Sequence, residues 1–147
     1  MLIIGLALAA AEAHTPPRET SVQAAIQVVR DYYAAVSRHD YRAAYALWHG
    51  AQSYARFRRG YAATRSVKVR FVDAGTPEGA AGSLYLDLPV RVDAVLRSGA
   101  RQHFIGHYVL RRVNDVPGST AAQRRWHIES AHLKQAPAGH EADGHEA

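Results

Sequence analysis

Between residues 84 and 96 the even positions Leu84, Leu86, Leu88, Val90, Val92, Ala94 and Leu96 are all aliphatic. The odd positions Tyr85, Asp87, Pro89, Arg91 and Asp93, with Arg97 beyond, are mostly polar, and Val95 breaks the pattern. A period of two is the mark of a strand with one face in a core and the other in water. Three helix-like segments precede this strand and two further strands follow it. The chain therefore reads as an antiparallel sheet whose apolar face needs covering.

Composition narrows the chemistry. A chain of 147 residues is one domain's worth and buries roughly two thirds of the surface its unfolded form exposes. With no cysteine, disulfides, thiolate metal sites, a lipid-modified N-terminal cysteine and a cysteine nucleophile are excluded. The formal charge of +5 comes from arginines spread among Asp and Glu. The densest basic stretch, Arg56, Arg58, Arg59, Arg65, Lys68 and Arg70, lies among aromatics at core spacing and carries no nucleic-acid motif. It reads as a solvated face, with no nucleic-acid partner.

Leu2 to Ala11 is apolar but too short to span a bilayer, which takes about 20 residues. It ends in Ala11-Glu12-Ala13, the small-x-small pattern that signal peptidase reads. No Lys or Arg precedes the run. Residues 1–13 are predicted to be a signal peptide with cleavage before His14, giving a periplasmic or secreted product without a membrane span. Residues 14–19, with Pro16 and Pro17, read as a linker, residues 20–135 as the folded domain, and residues 136–147 as a disordered tail lacking large apolar side chains.

In the folded region Thr20 and Gln23 form a capping-box pattern, and Val22, Ile26, Val29, Tyr33 and Val36 then recur at steps of three or four. Asp40 is placed to cap a second helix with Tyr41, Ala44, Leu47 and Trp48 on one face, ended by Gly50. Ser53 is placed to cap a third, short helix with Tyr54, Phe57 and Tyr61. Val67, Val69 and Phe71 mark a first strand, and residues 73–79 a turn. The long strand follows, with Pro89 predicted at a bulge or an unpaired edge position. Strands over 102–113 and 125–133 complete an α+β layout of three helices and a four-stranded, mainly antiparallel sheet.

The helix with Asp31-Tyr32-Tyr33, the corner Arg38-His39-Asp40-Tyr41-Arg42-Ala43-Ala44-Tyr45, and the pair Gly106-His107-Tyr108-Val109-Leu110 and Trp126-His127-Ile128-Glu129 together resemble the nuclear transport factor 2-like superfamily, with its SnoaL-like and ketosteroid-isomerase-like members. The resemblance spans roughly residues 21–133. It implies a cone: a strongly curved sheet wrapped around the first helix and open at one end to a pocket. It implies no single activity, because the superfamily holds isomerases, dehydratases, cyclases and plain binding or assembly domains.

Candidate functional residues divide by position. Asp40 offers a carboxylate near the pocket mouth, but a helix cap accounts for it. Asp87, Arg91 and Asp93 lie on the wet parity of the long strand and are expected to pair among themselves. If His107 lies opposite Ser130 and Ile105 opposite His132, then Ile105, His107, Val109, Trp126, Ile128, Ser130 and His132 share one face, an apolar wall with convergent polar groups. Slipping the pairing by one residue would bring His127 and Glu129 beside His107 instead. Tyr33 and Trp48 are candidate pocket residues from the helices, and packing explains them as well. No metal or cofactor is expected. These residues are consistent with a non-catalytic exported domain that holds a small apolar ligand or docks to an envelope protein. Two alternatives stay open: an isomerase, dehydratase or cyclase acting on a carbonyl or polycyclic substrate through His107, His132 or Asp40, and a structural homodimer module.

Overall fold

The computed structural model describes residues 22–50 and 52–137. The predicted signal peptide, the linker, the Thr20 cap and the chain from residue 138 lie outside the described residues.

Helix α1 (Val22–Ser37) buries Ala25, Ile26, Val29, Tyr32, Tyr33 and Val36 along one stripe. It stops at His39, which takes the left-handed conformation at φ 61°. The His39 N–H then donates to the Val36 carbonyl at 3.0 Å and the Asp40 N–H to the Ala35 carbonyl at 2.9 Å. This is the crossed bonding of a Schellman ending, which satisfies carbonyls that the helix terminus leaves free. Asp40 does cap α2 (Tyr41–Ala46), its carboxylate accepting from the Ala43 N–H at 3.1 Å. Ser53 likewise caps α3 (Tyr54–Gly60), accepting from the Arg56 N–H at 3.2 Å.

Helix α2 ends well before Gly50, contrary to expectation. The Leu47 carbonyl accepts from the Ile128 N–H and the His49 N–H donates to the Ile128 carbonyl, both at 2.8 Å. These backbone groups are taken by the last strand instead of by another helical turn, and Trp48 sits beside Ile128 in a parallel bridge.

The sheet comprises β1 (Thr64–Phe71), β2 (Glu78–Ala80), β3 (Ser83–Leu96), β4 (Arg101–Val113) and β5 (His127–Ala136). Its order is β1-β3-β4-β5, with β2 also paired to β3 and every pairing antiparallel. The three-residue β2 lies at the end of the stretch read as a turn. It returns into β3 through Ala81 and Gly82, both at positive φ, the backbone that a two-residue hairpin requires. Ala136, expected in the tail, closes β5 opposite His103.

Pro89 causes no bulge. The β3–β4 register runs straight through it, opposite His107, and its missing donor falls on the side where β1 ends at Phe71. The Pro89 carbonyl on that side accepts from the Val72 N–H at 3.3 Å.

The long strand behaves as its alternation predicts: Leu86, Leu88, Val90, Val92 and Ala94 are buried, packed with the α1 stripe, Leu110 and Ile128 in one core. Each such Leu, Val or Ile side chain contributes roughly 1.5–3 kcal/mol on leaving water. Ser37 ties the end of α1 to β1, its Oγ accepting from the Val67 N–H and donating to the Val67 carbonyl, both at 3.0 Å.

Candidate functional site

Under the helices the core is aromatic. Tyr32, Tyr33, Trp48, Phe57, Tyr61 and Tyr108 pack mainly edge to face around Tyr32, with ring centroids 4.9 to 6.3 Å from it. Such contacts add specificity beyond area burial. Their hydroxyls are spent on one another: Tyr32 bonds Tyr61 at 2.5 Å, and Tyr33 bonds Tyr108. Burial raises the pKa of all four phenols, that of Tyr108 well above the ordinary value, because the phenolate cannot be solvated there. The Trp48 indole N–H opposes this weakly at Tyr32, though it lacks a partner of good hydrogen-bond geometry. Among the described residues no carboxylate or imidazole is buried; the buried polar or charged side chains are Thr64, Ser83 and Arg112.

The residues grouped by sequence parity are divided between the two faces of the sheet. His107 pairs with His132, Val109 with Ser130 and Ile105 with Lys134, a register two residues away from the one expected. Parity survives a shift of two, so Ile105, His107, Val109, Ser130 and His132 do share a face. It is the outer one: Ile105 is 50% exposed and the two imidazole rings lie 5.0 Å apart.

Trp126 and Ile128 point the other way. Between Val109 and Leu110 the register shifts, so that Leu110 pairs with Ile128 and Glu129 is the extra residue of a bulge. That places Ile128 at 0% and Trp126 at 3% exposure in the core, with Tyr33 and Trp48. Asp40 is occupied as a cap and its side chain is 49% exposed. Asp93 pairs across strands with His103 and with Arg70, the latter at 3.5 Å, rather than with Arg91 or Asp87 as expected. Opposite strands bring those groups together, whereas residues two apart on one strand stand side by side. Among the described residues no group of three or more His, Asp or Glu side chains is placed to hold a metal.

A cavity of about 270 Å³ opens at the loop end of β4 and β5. Its wall is basic, formed by His49, Arg111, Arg112 and His127, with Val113, Ala122 and Gln123 beside them. Most of these were not singled out by sequence reasoning. The signal for Arg112 was present: it continues the even parity of Tyr108 and Leu110, a charge in a stripe that turns inward. His49 is held by Glu129 at 3.1 Å, a contact that the bulge creates and that no sequence spacing displays.

This order of helices and strands, with α1 laid over an open antiparallel sheet, is the nuclear transport factor 2-like fold. Solved structures carry the same arrangement. The chain is similar to a nuclear transport factor 2-like superfamily protein from Salmonella enterica serovar Typhimurium LT2, with a TM-score of 0.55 at 13% identity over 84% of this chain and 96% of that one. It is similar also to a provisionally named scytalone dehydratase from Novosphingobium aromaticivorans (TM-score 0.55, 11% identity, 78% of this chain and 83% of that one). A third is a provisionally named dehydratase of this fold family from Streptomyces avermitilis (TM-score 0.53, 14% identity, 82% and 99%). No protein-family model matches the sequence, and no curated protein matches it. Identities this low carry the fold, and function has to be argued from the residues.

Proposed function

We propose that the chain is a non-catalytic binding domain that holds a small molecule or docks to an envelope protein. One observation carries this: beneath the helices aromatic rings pack on one another and their hydroxyls bond each other. Proton transfer near neutral pH needs a group whose acidity matches the task, and the phenols here are pushed the wrong way for it. On the outer face His107 and His132 stand beside each other at the surface, and the one carboxylate on a neighbouring imidazole, Asp93 on His103, is shared with Arg70. The N-terminal apolar run and its Ala-Glu-Ala ending support export to the periplasm or beyond.

Native mass spectrometry of the protein purified from its own source tests both parts. A retained small molecule or a second subunit on a chain beginning at His14 is expected. A bare monomer that turns over a carbonyl compound would overturn the binding reading, and a chain retaining Met1 would overturn export. Among the described residues no helix is long and apolar enough to cross a membrane.

A further inference from the structure

Arg112 is 4% exposed, and its Nε and Nη1 reach neither water nor a hydrogen-bond partner. These two nitrogens carry three of the guanidinium's five N–H donors. The remaining nitrogen, Nη2, makes one long bond of 3.4 Å to the carbonyl of the adjacent Val113. Among the described residues no Asp or Glu comes within ion-pair distance of it. A guanidinium does not shed its proton in a protein, so the charge stays, and a buried charge without a counter-charge costs several kcal/mol. Native chains keep such a group when something completes it.

The cavity beside it has the complementary character. Arg111, His49 and His127 share the wall with Arg112. Arg111 donates from Nε to Ser83 Oγ at 3.1 Å and lies over the Tyr85 ring at 5.9 Å, which hold it in place with no carboxylate on its terminal nitrogens. Two carboxylates lie two residues along the chain from this wall, and both are engaged elsewhere: Glu129 with His49 and Asp115 with Arg124. A concave wall that carries two guanidiniums, those of Arg111 and Arg112, draws the opposite sign. A void of this size admits a small organic molecule and is far larger than one water.

We propose that this cavity binds a small anion, carboxylate or phosphate in chemistry, with Arg112 as its principal partner after a rotation of that side chain and with Arg111 and the flanking imidazoles as the outer ring. The site rests on the binding reading above and names the ligand class for it. It also departs from the apolar ligand that the sequence alone suggested.

The test is thermal unfolding and titration calorimetry of the full chain with sodium benzoate and with inorganic phosphate, at ionic strength held constant with chloride. At least one of the two anions is expected to raise Tm and bind saturably, and which one does so separates a carboxylate from a phosphate ligand. Arg112→Met is expected to abolish the response while leaving the anion-free protein at least as stable, since it removes an unpaired buried charge. Should that variant fail to fold, Ala122→Glu, at an exposed wall position, is expected to weaken binding at least tenfold by supplying a competing carboxylate. No response to either anion, or a response unchanged in Arg112→Met or Ala122→Glu, overturns the site and leaves the non-catalytic reading standing. Chemical conversion of a bound carboxylate, followed by mass spectrometry, would instead overturn that reading and leave the site standing.

Discussion

The two faces of β4 treat polar atoms in opposite ways. On the helix-covered face Tyr108 is 1% exposed and Leu110 0%, and the Tyr108 hydroxyl is matched by that of Tyr33. On the outer face His103, His107 and Arg111 keep contact with water; His103 pairs with Asp93 and Arg111 bonds Ser83, while His107 lies beside His132. A buried polar group must be answered from within the protein, whereas a surface one is answered by solvent. Arg112 breaks the rule: it lies on the inner side and is as buried as its neighbours, yet most of its donors go unanswered. Two indole N–H groups, of Trp48 and Trp126, also lack partners, but Arg112 alone among these leaves a charge unanswered.

The largest expected effect tests whether the two faces differ as much as their burial implies. Leu88→Ala should destabilise the protein by about 2–5 kcal/mol, while Ile105→Ala, on the outer face of the neighbouring strand, should stay within about 0.5 kcal/mol. Urea denaturation of both variants measures this directly. Equal losses would mean that the outer face is covered by something in solution, as the homodimer alternative requires.

Breaking one hydroxyl pair tests the second half of the contrast. Tyr33→Phe leaves the Tyr108 hydroxyl buried without its partner and should cost about 1–3 kcal/mol. The double change Tyr33→Phe with Tyr108→Phe should cost less than the two single changes added together, because no orphan is left. A strictly additive cycle would show that the pair contributes nothing.

Much of this arrangement was legible in the chain. Leu86 to Ala94 gave the buried face because side-chain alternation is a local property of a strand, and Asp40 and Ser53 gave the helix starts because capping acts over three residues. The fold class followed from the order of those segments. The candidate site was far less legible. Parity can be carried along a strand only until a bulge, and the extra residue Glu129 reverses it, sending Trp126 and Ile128 inward while Ser130 and His132 stay outside. The short α2 was hidden for a related reason: the groups that end it belong to Ile128, some eighty residues further along. Both failures are non-local pairings that no window of sequence contains.

Alkaline unfolding sharpens the inner side of the contrast. Tyr32, Tyr33, Tyr61 and Tyr108 all have their pKa raised in the folded protein, first by burial. Below about pH 10 they are neutral in both states and the pH costs nothing. Above it the unfolded chain ionises while Tyr32, Tyr33 and Tyr108 in the folded one do not, so stability should fall by about 1.4 kcal/mol per pH unit for each of those three, with a smaller part from Tyr61. Tyrosinate absorbance should accordingly show a slow phase that coincides with loss of structure. If these phenols titrate freely near pH 10 in the intact fold, the aromatic core is open to water.

The smallest effect belongs to the outer pair. His107 and His132 are cross-strand neighbours with rings 5.0 Å apart, and when both are protonated they repel across that gap. Replacing both with Gln should change stability by no more than about 0.5 kcal/mol at neutral pH. If these residues hold a ligand, as their shared face suggested, the double variant should bind it more weakly than the parent does. Unchanged affinity in calorimetry would remove them from the site and leave the basic cavity at the far end of the strand as the place where this fold meets its ligand.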